Sequence, residues 1–115
     1  MANANRGYQK LIDALAITDT SAHASSVVNW EGDEAIFAVY NNLNAGTLTC
    51  QVYGSLDYDG PFWTVGSTFT ATAGGGVNYA TLTEKWPWVK IIITAGSTPA
   101  SGTASVFMYA YPKTA

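Results

Sequence analysis

The chain has 115 residues, a formal net charge of −3 and 11% charged side chains, where ordinary soluble domains carry about 25%. A length of this order supports one domain around one core without staples, and the single cysteine, Cys50, can form no intrachain disulfide. The acidic balance excludes the basic footprint of a nucleic-acid binder, and Gly, Ser, Thr and Asn recur too often in the uncharged runs for a membrane span.

Residues 1–26 differ from the rest and read as an N-terminal arm. Tyr8, Leu11, Ile12 and Leu15 follow the i, i+3, i+4, i+7 spacing of an amphipathic helix, with Arg6, Gln9, Lys10 and Asp13 elsewhere around it. Two turns of helix do not persist alone, so the stripe is expected to bind a partner, while residues 27–115 fold without it as a β-sandwich. Thr18 to Ser26 reads as an extended connector, and His23 within it has no second imidazole or nearby thiol to make a metal site. No segment among the first thirty residues combines a basic start, an apolar run and a small-residue cleavage site, so no secretory leader is expected.

From Val27 onward the pattern is strand and turn. Val27 to Trp30 predicts a short strand, and Glu31-Gly32-Asp33 a turn. Glu34 to Asn41 alternates Ile36, Ala38 and Tyr40 against Phe37 and Val39. In the run Thr47 to Gly54, Leu48, Cys50 and Val52 share one face, which makes Cys50 a small buried hydrophobe. The Asp57 to Pro61 corner then joins this strand to a second one, where Trp63 falls in phase with Val65 and is expected in the core. Phe69 to Thr72 has modest β character, and Val77 to Thr83 alternates Val77, Tyr79 and Thr81 against Asn78, Ala80 and Leu82. Trp88 to Thr94 is rich in β-branched residues, and Thr103 to Tyr111 sets Val106, Met108 and Ala110 against Phe107, Tyr109 and Tyr111. About eight short strands with turn residues between them predict an all-β fold, a single β-sandwich or jelly roll.

Catalytic chemistry is not expected. His23 is the one imidazole, so a serine or cysteine nucleophile lacks its base. Asp57 and Asp59 could pair as glycosidase carboxylates, but two aspartates on a turn more often hold local backbone N–H groups. With Glu31, Asp33 and Glu34 they lack the loop pattern of a calcium site. No cofactor and no metal is expected. Tyr58, Trp86 and Trp88 form the one candidate ligand platform, since exposed rings on a β-sandwich can carry sugar rings, although Pro87 between the tryptophans favours packing.

Three long segments, Ala35 to Leu56, Gly60 to Thr83 and Ile91 to Pro112, contain no charged side chain. A free monomer keeps mixed charges on its surface for solubility, so neighbours are expected to cover much of this one. The runs Val52-Tyr53-Gly54-Ser55-Leu56-Asp57, Trp63-Thr64-Val65-Gly66-Ser67, Trp86-Pro87-Trp88-Val89-Lys90-Ile91 and Gly102-Thr103-Ala104-Ser105-Val106 resemble small β-sandwich virion proteins of tailed bacteriophages, over about Val27 to Pro112. The resemblance implies a non-enzymatic structural role: capsid decoration or cement on a bacteriophage head, or a neck or tail component. It further implies a homo-oligomer bound to the major capsid protein or another virion protein, assembled in the host cytoplasm, and it offers no catalytic residues. The other expectation, from the aromatic residues themselves, is a carbohydrate-binding or receptor-binding β-sandwich.

Overall fold

The computed structural model describes residues 8–99 and 101–112, which form two antiparallel sheets facing one another. Nine strands are present among the described residues: β1 Tyr8–Ala16, β2 Ala22–Ala24, β3 Val28–Asn29, β4 Glu34–Leu43, β5 Thr47–Ser55, β6 Trp63–Thr72, β7 Gly76–Leu82, β8 Trp88–Ala95 and β9 Gly102–Tyr111. The first sheet has the order β1-β9-β4-β7, and the second β2-β8-β5-β6 with β3 also on β8. Chain-adjacent strands such as β6 and β7 lie in different sheets, as a sandwich requires.

Period-two alternation sets the core. Phe37 and Val39 of β4, Val106 and Met108 of β9, Leu48, Cys50 and Val52 of β5, and Val89, Ile91 and Ile93 of β8 all turn inward and are buried. Trp30, also buried, meets Phe37 edge to face at 6.2 Å. Burial pushes the Cys50 thiol up to about 12, so it behaves as a small apolar side chain. Buried Asn41 is satisfied twice: its Nδ2 donates to Ala71 O at 2.8 Å, and its Oδ1 accepts from Leu43 N at 3.0 Å.

The segment expected to be helical is a strand. Tyr8, Lys10, Ile12 and Leu15 pair with Tyr109, Phe107, Val106 and Ala104 of β9, and the register shifts between Lys10 and Ile12 and again between Ile12 and Leu15. Each shift advances the apolar phase of the strand, and two of them convert period two into a spacing that imitates a helix. Ala14, at φ 49°, sits in the second irregularity, where its N–H donates to Ser105 Oγ at 2.9 Å. Leu11 and Ile12 are buried in the chain's own core, and Tyr8 and Leu15 are exposed. Residues 22–24 also form a strand, β2, against Thr94, Ile93 and Ile92. His23 within it lies 3.1 Å from Asp19 Oδ1. The hydroxyl of Ser21 and then His23 hold the Asp19 carboxyl below its usual range.

Candidate functional site

Two surfaces concentrate the exposed aromatic residues. The first is the outer face of the β1-β9-β4-β7 sheet, whose register lays its side chains out in rows. One row runs Tyr8, Tyr109, Ile36, Thr81, and the next Lys10, Phe107, Ala38, Tyr79. Above and below them lie Tyr111 beside Glu34, and Ser105, Tyr40, Val77. Tyr8 stacks with Phe107 at 6.4 Å and Tyr109 with Tyr111 at 5.5 Å, so the rings are held in place by one another. Exposure is highest on β7, with Tyr79 at 61% and Val77 at 63% against 42% for Tyr109, while Ile36, Ala38 and Tyr40 of the intervening β4 are half-buried.

Charge is confined to the margins of this face. Lys10, on the outer strand β1, lies 5.6 Å over the Phe107 ring and 3.4 Å from Asp13. At the end of β4, Glu34 accepts from the Tyr111 hydroxyl at 3.1 Å. Desolvation and then Glu34 push the Tyr111 phenol above its ordinary value. Four strands at about 4.8 Å and seven residues at about 3.3 Å give the sheet face a footprint of about 440 Å², of which the exposed apolar part is smaller because Lys10, Glu34, Ser105 and Thr81 share it.

The second surface is the end of the other sheet, where β5 turns into β6. Gly60, at φ 90°, allows the turn, and its N–H donates to Asp57 O at 3.0 Å. Asp57 N in turn donates to Ser55 Oγ at 3.0 Å, so it is the main chain of this aspartate that these bonds tie into the turn. Trp86 lies directly on Gly54, where any Cβ would collide with its ring, and it stacks with Trp63 at 5.7 Å. Its Nε1 is buried without a partner. Trp63 is therefore not core: it is in phase with Val65, but at the strand end it covers Trp86 and remains 49% exposed, whereas Val65 is 1% exposed.

Tyr58 and Trp88 of the expected platform do meet, edge to face at 5.3 Å, while Trp86 is turned toward Trp63. Lys90 lies 4.3 Å over the Phe62 ring. Trp88 also lines a cleft of about 340 Å³ with Gln9, Val28, Asn29, Glu31 and Ala110. Sequence reasoning did not place these residues together, because β1 and β3 reach the cleft from separate sheets. Among the described residues no three His, Cys, Asp or Glu side chains cluster to hold a metal, and no helix is long and apolar enough to cross a membrane.

No protein-family model matches the sequence, and no curated protein matches it. Solved structures do match in fold. The PBSX exported protein XepA superposes with a TM-score of 0.73 at 12% identity over 94% of this chain, which spans 38% of XepA. The VP2 subviral particle of infectious bursal disease virus gives 0.55 at 16% identity, over 88% of this chain and 30% of VP2. The carbohydrate-binding module CBM35 from Paenibacillus barcinonensis gives 0.52 at 14% identity, over 93% of this chain and 95% of the module. At these identities the likeness is one of fold: the chain is a β-sandwich of a kind found in viral structural proteins and in carbohydrate-binding modules alike.

Proposed function

We propose that this chain is a non-enzymatic structural component of a bacteriophage virion, a decoration or cement protein held on a protein shell by the outer face of the β1-β9-β4-β7 sheet. The observation that carries the reading is that face: rows of Tyr, Phe, Ile and Val across four strands, with Lys10 and Glu34 at its margins. A flat, uncharged, aromatic surface fits a protein partner, since aromatic residues are enriched and charges depleted at interface centres. VP2, the protein of a viral particle, supports the virion part of the reading through fold.

The size of the face sets the mode of binding. The footprint of about 440 Å² is about half of the roughly 800 Å² per partner of a standard stable interface. One copy would bind weakly. Copies held together as a homo-oligomer on a symmetric shell would bind well, because each further contact is made at high effective concentration. The test is quantitative mass spectrometry of gradient-purified particles of the source virus. A fixed number of copies per particle is expected, and particles free of the chain would contradict the proposal.

A further inference from the structure

We propose that the cleft beside Trp88 binds one neutral sugar ring of a glycan. This goes beyond the structural role and does not rest on it, since the cleft lies apart from the outer-face rows. The cleft, about 340 Å³, falls at the small end of the roughly 300–1,000 Å³ typical of small-molecule sites, which suits a single ring. Trp88 lines it together with Val27, Val28 and Ala110, the Trp88 indole meets Tyr58 edge-on at 5.3 Å, and its backbone pairs with Asn29 across β3 and β8. An apolar lining that includes an aromatic residue complements the C–H face of a pyranose.

The polar groups of the cleft mix donors and acceptors. Gln9 Nε2 donates to Asn29 O at 3.4 Å, and Asn29 Nδ2 donates to Pro87 O at 3.0 Å. Beyond these bonds each carboxamide has a second N–H and a carbonyl oxygen to offer, and Glu31 adds a carboxylate. A rim of donors and acceptors beside apolar lining residues suits a ligand whose hydroxyls both donate and accept around a C–H face. Glu31, a lining that holds no Lys or Arg among the described residues, and the net charge of −3 disfavour an acidic sugar. Glycoside cleavage takes two carboxylates and the lining has one, so the cleft binds and does not cut.

The test titrates the full chain with xylohexaose, cellohexaose and mannohexaose, each followed by two-dimensional NMR and calorimetry. At least one is expected to bind in the millimolar range or tighter, with shifts centred on the Trp88 indole N–H and the Gln9 and Asn29 side-chain amides. Trp88→Ala should weaken binding about tenfold or more, the equivalent of one good aromatic contact. Glu31→Gln and Asn29→Ala, both at exposed positions, should each weaken it several-fold with an unchanged melt, which keeps the test decisive if Trp88→Ala misfolds. Trp63→Ala should leave binding unchanged. Binding of none of the three sugars, shifts centred on Trp63, affinity indifferent to Glu31→Gln and Asn29→Ala, or capture of tetramethylammonium in their place would each overturn the proposal.

Discussion

The outer face of the β1-β9-β4-β7 sheet and the β5–β6 end of the opposite sheet draw on the same residue types, and they differ in how the rings are arranged. On the first, the stacked pairs Tyr8–Phe107 and Tyr109–Tyr111 and the separate Tyr79 are laid side by side across one sheet face by strand register. On the second, the pairs Trp63–Trp86 and Tyr58–Trp88 gather around a turn and beside a cleft. Rings laid along a sheet face bury area against something broad, whereas rings gathered at a turn leave concave corners that hold something small. Aromatic content by itself does not distinguish the two uses; register and turn geometry do.

The largest expected effect comes from removing β1. Starting the chain at Val27 deletes Leu11, Ile12 and Ile17 from the core, removes β2 and strips β9 of one of its two partners. Three such core losses at about 2–5 kcal/mol each match a whole domain's stability of about 5–15 kcal/mol. The truncated chain is expected to show no cooperative thermal transition; a melt within a few degrees of full length would mean that the first sheet stands without β1.

Next is Gly54→Ala, which acts on the second region alone. Its methyl group would displace Trp86, and the overpacking should cost about 1–3 kcal/mol in a denaturant titration. The Tyr109–Tyr111 and Tyr8–Phe107 stacks should keep their near-ultraviolet dichroism signature. Trp63→Ala should cost less, about 1–2 kcal/mol, because half of the indole is already in water. A loss above about 3 kcal/mol would return Trp63 to the core. Cys50 should not react with a disulfide reagent at pH 8 while the chain is folded, because burial raises its pKa to about 12 and keeps the thiol protonated. Labelling at the rate of a free thiol would contradict the packing of β5.

The alternation of β4, β7 and β9 was legible in the sequence, and with it both the core residues Phe37, Val39, Val106 and Met108 and the set that forms the outer face. The strand β1 was not, because its two register shifts place Tyr8, Leu11, Ile12 and Leu15 at helical spacing. Periodicity cannot separate a doubly bulged strand from two turns of helix when the segment is nine residues long. The strand β2 escaped notice because Ala22-His23-Ala24 carries no β-branched side chain, and its place comes from pairing with β8. For Trp63, phase with Val65 was read correctly, but phase gives the face and not the depth along the strand. Gly54 held the missing signal, a glycine inside a strand where another side chain comes close. The cleft was beyond local reasoning, since Gln9, Asn29 and Trp88 meet only through the two sheets.

The central claim, that the flat face is the docking surface, is tested most directly by placing charge in its middle. Tyr79 and Tyr109 are both exposed, so the double variant Tyr79→Glu, Tyr109→Glu should stay folded at a cost of about 1–3 kcal/mol, part of it the lost Tyr109–Tyr111 stack. The measurement is incorporation of this variant into particles that take up the wild-type chain, quantified by mass spectrometry beside its thermal melt. The account predicts a folded protein absent from the particles; a folded double variant incorporated at the wild-type copy number would contradict it.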